Sequence, residues 1–437
     1  MGCFYWGDLF SSSRSRKQTK TGFRRLMVEW PPFSDCLREP AFNRYDRSMQ
    51  VSTIPSRDNF ALHIALVTHS CDNGTGIGRI VLSLADEFEN QGQTVSVVAQ
   101  HFDKENYRFR CRQIPLRTSF NSLDRLALRY FAKPALRHLN CDVVNSYMIG
   151  RGASVVTAQS CHIAGMEIRK QHQTRLPWRR NLGIFDRMTL QDERFLVRSH
   201  HTKRIIAVSQ LVKEQFIQFY NINPERIVVI PNGVDVEKFK QLRAKVNRES
   251  LRNQYGIPRD GFLLLFVGNE FDRKGLDVLI RSLAVFKRDD VQLLIIGADD
   301  PTPYASLAAS LGISNKVIFG GRVRGPEALF LAADAFVFPT VYEPFGMVLI
   351  EAMAAGVPVI ATRHAGALDG CTHEHHGLFL ADPLSVEELS YSIQRLIGDE
   401  QLRHKLSETG IDFAQQLSWN KVASRTLQVY REIRELQ

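Results

Sequence analysis

The chain has no run of apolar residues long enough to cross a bilayer as a helix. Phe262 to Gly268 and Ala335 to Phe338 are strand-sized and soon interrupted, whereas a spanning helix needs about 20 such residues. Cysteine is also scarce. The seven, at positions 3, 36, 71, 111, 141, 161 and 371, are odd in number and form no Cys-x-x-Cys pair. That argues against a disulfide framework or structural zinc and fits reduced thiols in a cytoplasm. Met1–Phe10 is not expected to act as a secretory leader, since it has no basic start and Arg14, Arg16 and Lys17 break any apolar region. The Met1-Gly2-Cys3 opening matches the myristoylation pattern poorly because position 6 is Trp.

What is present is ordinary globular material: 437 residues with 44% hydrophobic, 23% charged and 10% aromatic, enough for two or three domains with real cores. The formal net charge of +10 is unevenly placed. Residues 61–240 hold 25 basic against 16 acidic side chains, while residues 241–437 hold 21 against 24. The N-terminal half is therefore the one that invites an anionic partner.

Residues 1–58 show no sustained periodicity and read as a disordered or mis-assigned extension, with Met49 close to where folded sequence begins. From residue 63 the pattern becomes strand–helix alternation. Expected strands are His63–His69, Thr94–Gln100, Val143–Ser146 and Val155–Gln159, with helices at Arg79–Asn90 and around Leu123–Leu139. A second series, Phe262–Val267, Val291–Ile296, Val317–Phe319, Ala335–Phe338 and Val359–Ala361, is near-continuously apolar, as parallel strands covered on both faces should be. Ile230-Pro-Asn-Gly-Val-Asp235 punctuates the two series. The expected architecture is α/β: two Rossmann-like, doubly wound domains facing across a cleft, at 59–232 and 233–418, with a C-terminal helix in 419–437 packing back on the first. Ligands of such sheets bind at the carboxyl ends of the strands.

Three motifs carry candidate chemistry. Glu343-Pro-Phe-Gly-Met-Val-Leu-Ile-Glu351, followed by Gly356 and Pro358, sets a short helix directly after a strand, with Gly346 opening it. Its first N–H groups, around Phe345, Gly346, Met347 and Val348, form a natural phosphate seat, and Glu343 and Glu351 would flank a hydroxyl-rich ligand. Otherwise the two carboxylates only decorate an amphipathic helix. Arg273-Lys274 follows another strand and the turn at Gly268; two adjacent cations there suit a diphosphate, or else form a solvated pair on a loop. Gly74-Thr-Gly76-Ile-Gly78-Arg79 follows the first strand, before a helix expected to begin near Ile80. It fails the dinucleotide fingerprint because its sixth position is Arg79, but a glycine loop still permits close approach of phosphate or sugar.

Together these pieces, with Ile230–Asp235 and Gly320-Gly-Arg-Val323, resemble the retaining glycosyltransferases of family 4, which have the GT-B fold. The resemblance covers about residues 62 to 436. The stretch Phe266–Asp277 looks most like enzymes that glucosylate lipopolysaccharide core. The resemblance implies that Glu343 contacts donor-sugar hydroxyls, Glu351 holds the nucleotide ribose, and Arg273 and Lys274 neutralise the diphosphate. It also implies that Gly76 and Gly78 meet the donor from the N-terminal domain, that Gly268 belongs to the diphosphate loop, and that backbone at Val323 meets the base. For the family's histidine near the sugar's C6 hydroxyl the candidate is His162, although the family spacing falls nearer Gln159 and a histidine here is equally a satisfied structural residue. The implied donor is a nucleoside-diphosphate sugar, UDP-glucose ahead of GDP-mannose, with no cofactor and no metal required. The implied acceptor is a cell-surface glycan or glycolipid.

The acidic doublets Asp289-Asp290 and Asp299-Asp300 lie outside these phosphate elements and are not read as metal sites, nor is Cys371-Thr-His373-Glu-His375-His376. The basic excess has a candidate carrier in Arg125, Arg129, Lys133 and Arg137, spaced every fourth residue, supported by Trp178-Arg179-Arg180. That face suits an anionic membrane surface on the cytoplasmic side, or is simply solvated. Two other classes stay in view: a nicotinamide-dependent oxidoreductase, disfavoured by Arg79, and a basic nucleic-acid binder, disfavoured because the phosphate motifs sit in the acidic half.

Overall fold

A computed structural model describes residues 61–72, 74–102, 109–114, 132, 134–136, 139–148, 152–172, 183–285 and 288–435. The expected extension at 1–58, the cations Arg125, Arg129, Lys133 and Arg137, and Trp178–Arg180 lie outside them. Two parallel sheets form the body. The first runs in the order β5-β3-β1-β6-β7-β8-β9, from β1 (His63–Val67), β3 (Thr94–Ala99), β5 (Arg110–Gln113), β6 (Val143–Ser146), β7 (Val155–Ala158), β8 (Arg204–Ala207) and β9 (Ile227–Val229). The second runs β12-β11-β10-β13-β14-β15, from β10 (Phe262–Val267), β11 (Val291–Ile296), β12 (Val317–Gly321), β13 (Ala335–Phe338), β14 (Val359–Thr362) and β15 (Leu378–Leu380). A minor pair, β2 (Ser70–Cys71) with β4 (His101–Phe102), extends the loops beyond β1 and β3. The α/β class and the two Rossmann-like sheets are as the sequence implied.

The strand orders decide where a ligand can sit. Each sheet starts in its middle: the chain leaves β1 toward β3 and β5, then returns to β6 on the other side, and it leaves β10 toward β11 and β12, then returns to β13. Loops after β1 and β6, and after β10 and β13, therefore diverge and leave a crevice at the carboxyl ends. Burial follows the parallel arrangement, with Leu263–Val267 and Ala335–Phe338 all at or below 6% exposure.

Several expected boundaries shift. The first strand ends at Val67 rather than His69, and the first helix begins at Gly76 rather than near Ile80. The reason is local. Thr75 is extended and its hydroxyl accepts the Gly78 N–H at 3.1 Å, so the helix starts inside the glycine loop. Strands β5, β8 and β9 are additional to those expected; β5 carries polar Arg110, Arg112 and Gln113 and no apolar run, while β8 and β9 contain apolar runs no shorter than Val359–Ala361.

Two chain crossings join the halves. Val234 donates its N–H to the Leu417 carbonyl at 2.8 Å, and a Cβ on Gly233 would fall 2.5 Å from the Trp419 indole, so the two crossings lie side by side. The helix Trp419–Glu435 then packs on the helix Gly76–Asn90 of the first half, burying Val422, Leu427, Tyr430 and Ile433 against Val81, Leu84 and Phe88. Inside this contact the Asn145 amide donates to the Tyr430 hydroxyl at 2.7 Å and exchanges hydrogen bonds with Thr157.

Candidate active site

The carboxyl ends of the two sheets enclose a cleft of about 1070 Å³. Its first wall comes from loops after β1 and β3, including His69, Asp72, Gly76 and His101; its second comes from Asn269, Glu270 and Lys274 after β10 and Glu343 after β13. The same topology that creates the crevice thus brings together residues as far apart in the chain as His69 and Glu343.

The glycine loop divides its labour. Asp72 accepts the N–H groups of Gly74 and Thr75 at 2.8 and 2.9 Å, folding the chain back over the start of the helix. A Cβ on Gly78 would lie 2.2 Å from the Asp72 carbonyl oxygen, so Gly78 is demanded by packing and sits buried beneath the loop. Gly76 is different: a Cβ there would meet nothing within 4 Å, and the residue faces the cleft.

Lys274, the second member of the cationic pair, lines the same cleft as Gly76. Arg273 donates to Glu343 Oε2 at 3.3 Å, to Glu270 Oε2 at 2.8 Å and to the Tyr342 carbonyl, while Lys274 Nζ lies 3.8 Å from Glu343 Oε2. The mutual repulsion of the two cations is met within the protein by two carboxylates. Burial works against the Arg273 charge, but Glu343 and Glu270 outweigh it and hold its guanidinium above its ordinary value. For Lys274 burial wins over Glu343, and its ammonium is held below the usual lysine range. The ammonium rests 5.1 Å from the Phe338 ring centroid, a cation–π contact. Gly268 makes room for it: at φ +150°, a Cβ there would fall 2.4 Å from Nζ.

The loop carrying Glu343 is held from both sides. Val341 donates to the Arg273 carbonyl at 3.0 Å, and Ser209 of the first half donates to the Pro344 carbonyl at 2.7 Å. Gly346, at φ +99°, takes the left-handed conformation open to glycine and offers no capping side chain, so the first N–H groups of the helix Met347–Ala354 have no side-chain acceptor. The Phe345 side chain is core, 4% exposed, so only its backbone can face a ligand; Met347 packs against the cores of both halves and Val348 against one. Val323, half-buried, packs on the same core away from the cleft-lining set.

Glu351 is brought not to Glu343 but to Arg79. Its Oε1 lies 3.4 Å from Arg79 Nη1, which also stands 3.5 Å from Glu327, itself 2.7 Å from Lys238. Burial pushes the Glu351 carboxyl above the usual carboxylate range, with Arg79 opposing. His162 is placed apart from the cleft: its Nε2 is 3.1 Å from Asp186 Oδ1 and its ring meets Phe185 edge-on. Gln159 pairs amide to amide with Asn232 of the linker. Neither lines the cleft.

One sequence expectation needs correcting. Asp299 does not stand clear of the phosphate elements: its carboxylate accepts the Phe271 N–H at 2.8 Å, and with Asp300 it lines a second hollow of about 430 Å³ beside Arg273. The cause is sheet order, since β11 neighbours β10 and the two loops emerge side by side. Among the described residues no group of three or more His, Cys, Asp and Glu is arranged to hold a metal ion. Sequence reasoning also missed Glu270 and the Arg79–Glu327–Lys238 set; only Arg79 carried a signal, as the residue that broke the dinucleotide fingerprint.

Residues 74–238 match the family model described as Glycosyltransferase Family 4, and residues 247–413 match that described as Glycosyl transferases group 1. The chain is 26% identical over 345 residues to the lipopolysaccharide glucosyltransferase WaaG of Escherichia coli strain K12, covering 78% of this chain and 90% of that protein. It is 30% identical over 243 residues to an uncharacterized glycosyltransferase of Methanocaldococcus jannaschii, over 54% of this chain and 62% of that protein's length. A crystal structure of WaaG superposes with a TM-score of 0.70 at 25% identity, covering 84% of this chain and 99% of that one.

Proposed function

Because the chain belongs to the family 4-type glycosyltransferases of GT-B fold, we propose that it transfers a hexose from a nucleoside-diphosphate sugar to a cell-surface glycan or glycolipid, with retention of anomeric configuration. The observation that carries this reading is the meeting of Lys274 and Glu343 in the lining of the cleft that Gly76 also lines, with Arg273 reaching the same Glu343 carboxylate oxygen from the neighbouring hollow. Cleaving the bond between the anomeric carbon and the diphosphate leaves positive charge on the sugar and negative charge on the departing phosphate. Arg273 and Lys274 stabilise that phosphate, and the uncapped N–H groups at Met347 and Val348 add to them. The acceptor oxygen attacks the face from which the phosphate leaves, and its proton passes to a phosphate oxygen.

In this reading Glu343 accepts from sugar hydroxyls, Glu351 from the ribose, and Val323 offers backbone to the base. Gly268 and Gly78 shape the loops, and Gly76 admits the donor. His162 reaches the sugar only if the helix His162–His172 shifts, because Asp186 now holds its ring. UDP-glucose is the preferred donor and a lipopolysaccharide-core glycan the preferred acceptor class, in line with the glucosyltransferase name of the E. coli relative.

The protein works, on this reading, from the cytoplasmic face of a membrane. No described helix is long and apolar enough to cross one. The helix Ile184–Arg198 exposes Ile184, Phe185 and Phe195, and Arg187, Arg194 and Arg198 are exposed on it too; apolar and cationic groups together suit an anionic lipid surface. Flotation should show preference for anionic over neutral vesicles, and equal binding would remove this part of the proposal.

The test of the reaction is a thermal-shift panel of UDP, GDP, ADP, their sugars and NAD(P), followed by NMR of the product formed with the best donor. A ligand that binds the native state raises the melting temperature by mass action. Stabilisation by a nucleoside diphosphate, and a product with the donor's anomeric configuration, are expected. Stabilisation by NAD(P) alone, or inversion, refutes the reading.

A further inference from the structure

Arg79 belongs to the first half of the molecule, yet its guanidinium meets the carboxylate that the second half is expected to turn toward the nucleotide. It is the fourth residue of the helix Gly76–Asn90, one turn beyond the cleft-facing Gly76, and its side chain is 35% exposed. Its partner is almost closed off: the Glu351 side chain is 7% exposed and Arg79 is its only ion-pair partner among the described residues. Only Oε1 of Glu351 is engaged, at 3.4 Å, so Oε2 keeps its lone pairs for a hydroxyl donor. The other charges nearby do not match Arg79. Glu327, from the helix Glu327–Phe330, repels Glu351, and Lys238, from the helix Val236–Lys245, favours the Glu351 charge less than Arg79 does, its ammonium being paired to Glu327 at 2.7 Å.

We propose that Arg79 is a positioning residue for the donor nucleotide, contributed from the facing half: it keeps Glu351 charged and aimed at the ribose, so that tight donor binding requires the two halves to be in register. The residue that spoils the dinucleotide fingerprint then has a use of its own, because a guanidinium at that position is what a buried ribose-binding carboxylate on the facing half requires. The proposal rests on the reading of Glu351 as the ribose acceptor. Arg79 itself touches no part of the donor in this scheme and acts through Glu351.

The consequence reaches the pH profile. Burial already raises the pKa of Glu351, and Arg79 is the largest influence opposing it. Removing Arg79 raises it further, and the acid limb of nucleotide binding, where Glu351 becomes protonated and stops accepting, moves to higher pH.

The experiment uses the full chain with UDP, measuring binding by calorimetry from pH 5 to 8.5 for wild type, Arg79→Met, Arg79→Lys, Glu351→Ala and the double variant Arg79→Met/Glu351→Ala, each checked for an unchanged melting temperature. Arg79→Met should weaken UDP binding at neutral pH by roughly tenfold, the size of one charge-assisted contact, raise donor KM with little change in kcat, and shift the acid limb upward. Arg79→Lys should restore part of the affinity, and in the double variant the Arg79 change should add little to Glu351→Ala. If Glu351→Ala weakens UDP binding but Arg79→Met leaves affinity and pH profile unchanged, or if the two losses simply multiply, the role of Arg79 is refuted alone. If Glu351→Ala binds UDP as wild type does, the ribose reading falls and this proposal with it. A drop in melting temperature for Arg79→Met that Arg79→Lys reverses without restoring affinity marks Arg79 as structural and overturns the proposal.

Discussion

Replacing Lys274 by Met removes one buried positive charge while keeping most of the side chain's volume, and the structure sets opposite expectations for activity and stability. The ammonium lies 3.8 Å from Glu343 Oε2 and 5.1 Å from the Phe338 ring, with Arg273 3.3 Å from the same carboxylate oxygen. A unit charge at about 4 Å interacts by about 4 kcal/mol at an effective dielectric near 20. Only part of the leaving group's charge develops in the transition state, so roughly half of that, 2–3 kcal/mol, should vanish, which is about a hundredfold in kcat. Stability should move the other way. Because burial holds the folded Lys274 below its unfolded pKa, its charge opposes folding at neutral pH, and that opposition fades only as the pH rises through the depressed value toward the ordinary one. The Met variant should therefore melt at or above the wild-type temperature at pH 7, and Arg273 keeps Glu343 paired. A companion variant, Gly268→Ala, retains the charge but places a Cβ 2.4 Å from Nζ and 2.9 Å from Lys274 Cδ; displacing the ammonium should cost roughly tenfold in kcat by the same Coulomb argument. Steady-state kinetics with the donor found in the thermal-shift panel, paired with differential scanning fluorimetry, reads both. A Lys274→Met enzyme within about threefold of wild type, or one whose activity falls only as its melting temperature falls, would refute the reasoning.

Other expectations follow from geometry alone. Gly78→Ala would drive a Cβ to 2.2 Å from the Asp72 carbonyl and 2.6 Å from the Thr75 hydroxyl, and the clash with backbone should cost about 2–3 kcal/mol in denaturant unfolding. Gly76→Ala, which meets nothing within 4 Å, should leave stability within about 0.5 kcal/mol of wild type and raise donor KM; equal stability loss in both variants would contradict this division. Tyr430→Phe leaves the buried Asn145 amide short of the acceptor it holds at 2.7 Å and should cost about 1–3 kcal/mol, seen as a lower denaturant midpoint.

Much of the fold was legible because parallel strands buried on both faces must be apolar along their whole length. β10, β11 and β13 run to the boundaries their sequence suggests, Phe262–Val267, Val291–Ile296 and Ala335–Phe338. The edge strand β5 was hidden because Arg110, Arg112 and Gln113 leave it no apolar run, whereas β8 and β9 fall on the apolar runs Ile205–Val208 and Ile227–Ile230, as long as Ala335–Phe338, so their signal was present in the sequence. The first helix starts at Gly76 rather than at Arg79 because glycines read as loop, whereas a threonine cap can begin a helix across them.

At the site, residue types and local neighbourhoods came from sequence: cations after one strand, a carboxylate and an uncapped helix after another, glycines after a third. Each follows from short-range rules of backbone geometry and capping, which act over a few residues. Partners did not come from sequence. That Glu343 meets Arg273 and Lys274 is settled by β13 returning beside β10, that Asp299 braces their loop by β11 lying on the other side, and that Arg79 meets Glu351 by the facing of two sheets. These pairs are 28 to 272 positions apart in the chain, and no local pattern records a contact made by packing whole layers against one another. Local chemistry determined which groups this protein has for handling a phosphate and a sugar; only the tertiary structure decided which of them share a charge.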